Sequence, residues 1–251
     1  MTPWWNRLYS TAFAEAYMER PDPASLDAFA HFVSHQLEVP PSCRVFDQCC
    51  GTGELSVALA RKGYRVEGID QAPHYIERAQ RRAQQAALQI QFRAADAFES
   101  TASTPCQLAF NWWSSFGYAT SDAQNIHMLH RAFESLVPGG TFVLDTMNAT
   151  QVIRHFEPHR ATTRSTTQGR VSIEATSTID LSQGVLRKRW RVHIPGQKTE
   201  ETHSNVRLYA PHELRQLFES AGFDNIRFYG ATDGRSLELD APRCIVAAHR
   251  P

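Results

Sequence analysis

A short stretch near position 50 combines a strand, a glycine turn and the start of a helix. It runs from Val45 to Ser56 and reads VFDQCCGTGELS. Val45 and Phe46 are typical of the end of a buried strand, Gly51 and Gly53 indicate a tight turn, and the apolar periodicity that follows predicts a helix. Such an arrangement brings backbone N–H groups and the positive end of a helix dipole close to a ligand. Glycine suits the turn because a Cβ atom would block the approach or forbid the backbone angles.

The residues around this turn indicate the class of ligand. Dinucleotide sites use a G-x-G-x-x-G pattern with the pyrophosphate on the helix end, whereas Ser56 occupies the third glycine position here. The carboxylate of Asp47 would repel a pyrophosphate but could face an ammonium group or polar adenosine atoms. A second predicted strand ends in Asp70, where a carboxylate suits the two hydroxyls of a ribose. A ligand with a ribose, a cationic end and no phosphate is S-adenosylmethionine.

Five pieces of the chain, in family order and at family spacing, resemble the class I S-adenosylmethionine-dependent methyltransferases. They are DQCCGTG at 47–53, GID at 68–70, ADAF at 95–98, LVPGGTF at 136–142 and AGF at 221–223. The resemblance runs from about Cys43 to His249, with a gap over roughly 150–205. One departure is Cys49, which stands where the family's D-x-G-x-G-x-G pattern has its first glycine.

The resemblance implies a set of cofactor-binding residues. Asp70 would bind the ribose, and Asp96 would face the adenine amino group unless it only caps a short helical turn. The full predicted set is Tyr9, Asp47, Cys49, Gly51, Gly53, Asp70, Gln71, Asp96, Ala97, Asn111 and Trp112.

The predicted fold class is α/β, with a Rossmann-like, seven-stranded methyltransferase sheet implied by the resemblance. Strand and helix patterns alternate through the expected core, which comprises 42–150 and 210–251. Two predicted helices in 1–41 form either a lid over the cofactor, with Tyr9 and Tyr17 near its methionine end, or a cover for the sheet. The last two strands are expected to form an antiparallel hairpin.

Residues 151–209 predict an inserted antiparallel sheet of three or four strands. The turn signals are Gln168-Gly169, Ser182-Gln183-Gly184 and Pro195-Gly196-Gln197. The insertion is similar to the extra sheet of glycine and sugar-amine N-methyltransferases, where it roofs the substrate cavity. Its alternating Arg187, Arg189 and Arg191 form either a solvated face or a face that steers an anionic substrate.

Candidate substrate residues lie in two places. The aromatic loop 111–118 follows the fourth strand, and ligands of open α/β sheets bind outside the carboxyl ends of strands. One of its two tryptophans, with Phe116 or Tyr118, could wall a pocket; packing on the N-terminal helices is the alternative. Arg207 and Tyr209 are expected to share a strand face at the cavity rim, with Arg207 anchoring an anionic group or pairing with a structural acid. The predicted catalytic residues are Tyr118, Tyr209 and Arg207.

Composition limits the partners. The 251 residues carry a formal net charge of +0, so no global field draws the chain to nucleic acid or to a membrane. Five cysteines without a C-x-x-C spacing indicate reduced thiols and a cytoplasmic protein. His31 and His35 share a predicted helix face without further ligands nearby, so no metal is expected.

The sequence thus predicts methyl transfer from S-adenosylmethionine to a small molecule. The alternatives are an RNA or protein methyltransferase and a non-catalytic S-adenosylmethionine-binding protein; the oligomeric state stays open.

Overall fold

The structure is a computed structural model that describes residues 4–9, 13, 16, 22–167 and 169–251. The chain divides into two compact units, which are described separately. The four-stranded unit comprises Met1–Arg20 and Val152–Leu208, and the seven-stranded unit comprises Pro21–Gln151 and Tyr209–Pro251.

The helices and strands of the described chain are numbered separately, each in chain order. The helices are α1 (Trp5–Leu8), α2 (Pro23–His31, continued by a π-helical turn over Phe32–Gln36), α3 (Glu54–Arg61), α4 (Pro73–Gln85), α5 (Asp122–Ser135), α6 (Ala149–Arg154) and α7 (Pro211–Ser220). The strands are β1 (Arg44–Gln48), β2 (Arg65–Asp70), β3 (Gln91–Ala94), β4 (Cys106–Asn111), β5 (Leu136–Thr146), β6 (His159–Thr166), β7 (Gly169–Asp180), β8 (Val185–His193), β9 (Glu200–Arg207), β10 (Asp224–Tyr229) and β11 (Cys244–His249).

The large sheet has the order β10-β11-β5-β4-β1-β2-β3. The strands β1 to β5 run parallel, and β11 is antiparallel to both of its neighbours. The predicted α/β sheet and its terminal antiparallel hairpin are therefore confirmed. The chain reverses its direction of travel across the sheet between β1 and β4, and this reversal is where open α/β sheets bind ligands.

Both faces of this sheet are buried, which explains its nearly continuous apolar strands. Successive side chains point to opposite faces, so Val45 packs in one cluster with Leu108, Phe110 and the α2 residue Phe29. Phe46 packs in the other cluster, with residues of α5 and α7. The carboxyl ends of β1, β2 and β4 are thereby held together at one edge.

The small sheet is an antiparallel meander in the order β6-β7-β8-β9. Four strands were within the predicted range, and the turns at 182–184 and 195–197 lie between strands as expected. One face is apolar: Ile173, Trp190 and Val192 pack with Leu8 and Phe13 of the N-terminal segment. On the opposite face Arg187 pairs with Asp180 at 3.0 Å and Arg191 with Glu201 at 3.1 Å, so these two arginines belong to a solvated, ion-paired face.

The described part of segment 1–41 is shared between the two units. Residues of α1 pack on the small sheet, whereas Phe29 and Phe32 pack in the core of the seven-stranded unit. Asp22 begins α2 by accepting a hydrogen bond from Ala24 N, and Pro23 occupies its first turn. Tyr17, predicted within the first of the two N-terminal helices, lies outside the described residues.

Candidate active site

The glycine turn follows β1 directly and has the backbone conformation that its sequence predicts. Gly51 and Gly53 have φ values of 56° and 80°. A Cβ atom on Gly53 would come within 2.9 Å of Ala79 and Phe92, so this residue must be small as well as left-handed. Cys49 adopts a φ of 69°, in the left-handed region that a glycine would normally occupy. The turn therefore keeps its shape although the first glycine is a cysteine.

Asp70 lies at the end of β2 and holds this turn. Its carboxylate accepts one hydrogen bond from Gly51 N at 3.0 Å and one from Ala72 N at 2.9 Å. Burial raises the pKa of Asp70, while these two backbone donors act against that rise. Each carboxylate oxygen keeps a lone pair for a further donor, so the group can bind hydroxyls beside the turn.

Asp47 lies one strand away, at the end of β1, with 2% of its surface exposed. It accepts a hydrogen bond from Ser56 Oγ at 2.5 Å. Burial raises the pKa of Asp47 to about 8, against the Ser56 hydrogen bond, and the nearby charges of Asp70 and Glu54 raise it further. Burial therefore favours the protonated form of this carboxyl group in the free protein.

Three acidic side chains act on one cysteine in the turn. Burial raises the pKa of the Cys49 thiol well above its usual range, and the charges of Asp70, Asp47 and Asp96 raise it further, in that order. Asp70 and Asp96 therefore make the field around the turn negative. A cationic ligand is favoured there, and a phosphate is disfavoured.

A buried amide network lies behind the turn. Gln48 Nε2 donates to Met128 O at 3.0 Å, and Asn111 Nδ2 donates to Gln48 Oε1 at 3.2 Å. Asn111 Oδ1 is buried and has no hydrogen-bond partner within the described chain. A buried acceptor without a donor costs free energy, so a ligand that supplies an N–H group here would be stabilised.

The other residues predicted on the adenosine side lie after β2 and β3. Gln71 is half-buried and directly follows Asp70. Asp96 is exposed, and its Oδ1 accepts a hydrogen bond from Phe98 N at 2.9 Å, so it does cap a turn. Ala97 is buried. Capping uses one oxygen of Asp96 and leaves the second available.

The loop after β4 separates the two tryptophans. The Trp112 ring is buried and lies 4.5 Å from the Phe29 ring, between centroids. Trp112 therefore packs on the N-terminal helices, which is the alternative that the sequence left open. Its ring does not lie at the glycine turn, unlike the side chain of Asn111. Trp113 is 43% exposed. Tyr118 is half-buried farther along the same loop.

An ion pair between the buried Asp145 and the partly exposed Arg243, which sequence reasoning missed, holds this loop. Trp113 and Ser114 have consecutive positive φ values of 59° and 65°. Asp145, at the end of β5, accepts hydrogen bonds from Trp113 N at 2.9 Å and from the guanidinium of Arg243 at 2.6 Å and 2.7 Å. Arg243 also donates to Ser114 Oγ at 2.7 Å. Strain in two successive residues persists only where the surroundings over-determine it, and these contacts supply that restraint. The available signal was an aspartate ending a predicted buried strand.

The structure corrects the prediction that Arg207 and Tyr209 share a strand face. The strand β9 ends at Arg207, and the two residues belong to different units. Arg207 Nη1 donates to its neighbour Leu208 O at 2.7 Å, beside Gly184. Tyr209 is buried, donates to Asp122 Oδ1 at 2.6 Å and accepts from Asn125 Nδ2 at 2.9 Å. Its hydroxyl thus ties the start of α5 to the segment before α7.

Tyr9, the remaining predicted cofactor residue, lies in the four-stranded unit. Its ring contacts the Phe13 ring edge-on, with 6.1 Å between centroids. The pair His31 and His35 stacks at 3.9 Å on α2 and its continuation. Among the described residues no group of three or more potential metal ligands occurs. Across the same residues, no helix combines the length and the hydropathy required for a membrane span.

Comparison with known proteins shows which families the chain resembles. Residues 45–140 match the family described as methyltransferase domain. The ubiquinone biosynthesis O-methyltransferase of Xanthomonas campestris pv. campestris is 34% identical over 116 residues, which cover 44% of this chain and 45% of the relative. The S-adenosyl-L-methionine-dependent Diels-Alderase iccD of Talaromyces variabilis is 36% identical over 114 residues, which cover 43% of this chain and 37% of the relative. The chain thus matches about half or less of the length of these relatives.

Solved structures extend the similarity to the whole fold. The CcbJ methyltransferase from Streptomyces caelestis superposes with a TM-score of 0.75 at 19% identity, covering 93% of this chain and 94% of that one. The sugar N-methyltransferase KedS8 from Streptoalloteichus sp. superposes with a TM-score of 0.72 at 16% identity, covering 90% and 87%. Over residues 45–140 the chain is therefore similar to known methyltransferase domains. Its fold is the α/β methyltransferase fold with an additional antiparallel sheet.

Proposed function

We propose that this chain transfers a methyl group from S-adenosylmethionine to a small-molecule acceptor. The observation that carries the proposal is the Asp70 carboxylate at the glycine turn, which accepts hydrogen bonds from Gly51 N and Ala72 N and, with Asp96, contributes a negative field around Cys49. S-adenosylmethionine has a sulfonium and an ammonium group but no phosphate, so its charge complements this field.

The residues present fit this cofactor. Asp70 would accept hydrogen bonds from the ribose hydroxyls, since its lone pairs lie beside the turn that it already holds. The unpaired Asn111 Oδ1 would accept from the ammonium group, which Asp47 would also face. Backbone at Cys49, Gly51 and Gly53 would line the methionine part. The adenine would lie toward Gln71, Asp96 and Ala97. Family resemblance also predicts cofactor contacts with Tyr9 and with Trp112, and the contact of Trp112 would involve its backbone only.

The chemistry asks the protein mainly for alignment. The cofactor supplies a methyl group on a sulfonium, which already carries a good leaving group. The chain has to hold the acceptor's nucleophile in line with that group and to exclude water. Trp113 is our candidate for the acceptor wall, because it is exposed at the carboxyl edge and its backbone is held in a strained conformation. Tyr118, in the same loop, is our candidate for orienting the nucleophile.

A small molecule is the acceptor class that the comparisons favour. The printed names include an O-methyltransferase of ubiquinone biosynthesis and a sugar N-methyltransferase. The formal net charge of +0 argues against RNA as the acceptor.

A second candidate function has one observation in its favour. A relative of this chain carries the name of a Diels-Alderase that depends on S-adenosyl-L-methionine. The same cofactor site is therefore compatible with a protein that binds the cofactor and catalyses a different reaction.

Two measurements separate these functions. Calorimetry with S-adenosylmethionine tests cofactor binding in the unaltered chain and in Asp70→Asn. Asp224→Asn is the matched control, because Asp224 begins the strand at the opposite edge of the same sheet. Incubation with methyl-labelled cofactor and a panel of phenols, amines and amino sugars tests transfer. We expect binding and labelled product. Binding without any transfer would favour the second function, and absence of binding would refute both.

A further inference from the structure

The glycine turn lies directly against helix α4. A Cβ atom on Gly53 would come within 2.9 Å of Ala79 of α4 and of Phe92 of β3. Gly53 also precedes α3, and it has no side chain with which to cap the free N–H groups of the first turn of that helix. Neighbouring side chains must therefore supply the contacts that hold the turn in place.

Glu54, the first residue of α3, places a buried carboxylate beside the turn. Only 7% of its surface is exposed. Thr52 Oγ1 lies 2.7 Å and 2.8 Å from the two carboxylate oxygens and donates to them. The positive end of the helix dipole favours an acid at this position, but a buried charge is costly unless it is paired. The threonine hydroxyl carries no charge, so Glu54 requires a cation.

Arg82 of α4 supplies this cation and binds the turn at two points. Its Nη2 lies 2.9 Å from Glu54 Oε1. Its Nη1 donates to the backbone oxygen of Thr52, which is part of the turn. A guanidinium presents several donors in a fixed planar fork, so one side chain can hold both groups at once. Arg82 therefore joins the turn to α4.

A second link between the same two parts of the chain lies at the start of α4. The Asp70 carboxylate accepts hydrogen bonds from Gly51 N in the turn and from Ala72 N just before the helix. Arg82 lies in the last turn of α4, about 14 Å along the helix from its first residue. The turn is thus held near both ends of α4, by Asp70 at one end and by Arg82 at the other.

We propose that Arg82 and Glu54 are positioning residues for the cofactor, because their ion pair keeps the glycine turn in its binding conformation before the cofactor arrives. This inference rests on the proposed function, since it concerns the turn at which S-adenosylmethionine would bind. A turn that adopts the binding conformation in only a fraction of the molecules lowers the apparent affinity by that fraction. Neither side chain has to touch the cofactor for this effect.

A positioning role and a direct effect of charge predict opposite results when Arg82 is removed. S-adenosylmethionine carries a net positive charge, whereas S-adenosylhomocysteine, which lacks the transferred methyl group, has no net charge at neutral pH. Loss of a nearby cation alone would tighten the binding of the charged ligand and leave that of the neutral one unchanged. Loss of the turn's conformation would weaken the binding of both ligands by the same factor, because both use the same turn.

The test is calorimetric titration of the full chain with each of the two ligands. We expect Arg82→Met to weaken the binding of both by about tenfold, since it leaves the Glu54 charge unpaired. Adding Glu54→Gln should recover binding to within about threefold of the unaltered chain, because no unpaired buried charge then remains. Arg81→Met is the matched control: Arg81 is the preceding residue of α4, carries the same charge and is exposed. Its affinity should stay unchanged.

Hydrogen exchange supplies a readout that a general loss of stability would not reproduce. In the free Arg82→Met chain, the backbone amides of 50–56 should exchange faster than in the unaltered chain, whereas those of β5 should keep their protection. Saturation with S-adenosylhomocysteine should remove the difference at 50–56, because the bound ligand then holds the turn.

Each contrary outcome is distinct. Unchanged affinity in Arg82→Met, or tighter binding of S-adenosylmethionine alone, would overturn the positioning role. Faster exchange in β5 as well as in the turn would show that the ion pair only stabilises the fold. Equal weakening in Arg81→Met would replace the role by a general effect of charge, and failure of Glu54→Gln to restore binding would show that Arg82 does not act through Glu54. An unaltered chain that binds neither ligand would refute the proposed function itself, and this inference with it.

Discussion

Replacing Asp70 tests the predicted cofactor site at its best defined residue. Asp70→Asn keeps the size of the side chain and one carbonyl acceptor but removes the charge. If two ribose hydroxyls donate to this carboxylate, the loss of charge-assisted hydrogen bonds is worth about 1.5–3 kcal/mol. That free energy corresponds to a rise in Kd of roughly 10- to 150-fold.

The same substitution has a smaller effect on folding. The carboxylate accepts hydrogen bonds from Gly51 N and Ala72 N, and an amide can keep only one of them. Burial already raises the pKa of Asp70, so removal of the charge offsets part of that loss. We expect the free energy of unfolding to fall by about 1 kcal/mol or less. Asp70→Ala loses both hydrogen bonds and should be less stable than Asp70→Asn.

The assay is calorimetry with S-adenosylhomocysteine, the product that methyl transfer would leave, alongside denaturant unfolding. Asp224→Asn makes the same charge change at the far edge of the sheet and should leave Kd within twofold. A folded Asp70→Asn chain with unchanged Kd would refute the ribose assignment. Equal weakening in Asp224→Asn would show that net charge alone governs binding.

Three further predictions concern stability. The pKa of Asp47 is raised from 3.8 to about 8 in the folded chain, so the stability that its bound proton contributes is present below pH 4 and is lost as the pH rises to about 8. Across that window the free energy of unfolding of Asp47→Asn should therefore rise relative to that of the unaltered chain, by at most about 1.4 kcal/mol per pH unit in denaturant unfolding. Arg207→Met should lower the free energy of unfolding by about 1–2 kcal/mol, since its guanidinium holds the carbonyl of Leu208. Arg243→Met should cost about 3–5 kcal/mol because it leaves the Asp145 charge buried and unpaired, and adding Asp145→Asn should recover much of that loss.

One result would directly contradict each of these predictions. A pH-independent difference between Asp47→Asn and the unaltered chain would show that this carboxyl titrates normally. Full stability of Arg207→Met with an impaired KM for an acceptor would restore the substrate-anchor interpretation from the sequence. Failure of the second substitution to rescue Arg243→Met would mean that the arginine acts through contacts other than Asp145.

Local patterns predicted the turn and the strands well. The glycines at 51 and 53 require left-handed backbone, and Asp70 ends an apolar strand, so both follow from residues close in sequence. The four strands of the small sheet follow from turn signals at their ends. These features depend on neighbouring residues, whose conformational preferences are strong.

Long-range contacts could not be predicted in the same way. Strand alternation predicts that two adjacent tryptophans cannot both point into the core, but only the position of Phe29 decides that Trp112 is the buried one. The hydroxyl of Tyr209 is committed to Asp122, which is 87 residues away. The packing of Trp112 and the hydrogen bond of Tyr209 therefore depend on residues far away in the sequence.

A crystal structure with S-adenosylhomocysteine bound tests the central claim most directly. We predict that both ribose hydroxyls lie within hydrogen-bonding distance of Asp70 and that the amino group of the ligand donates to Asn111 Oδ1. The end of the ligand from which the methyl group is transferred should face the loop that carries Trp113. A ligand bound elsewhere on the chain, or one with its ribose turned away from Asp70, would contradict the proposed site.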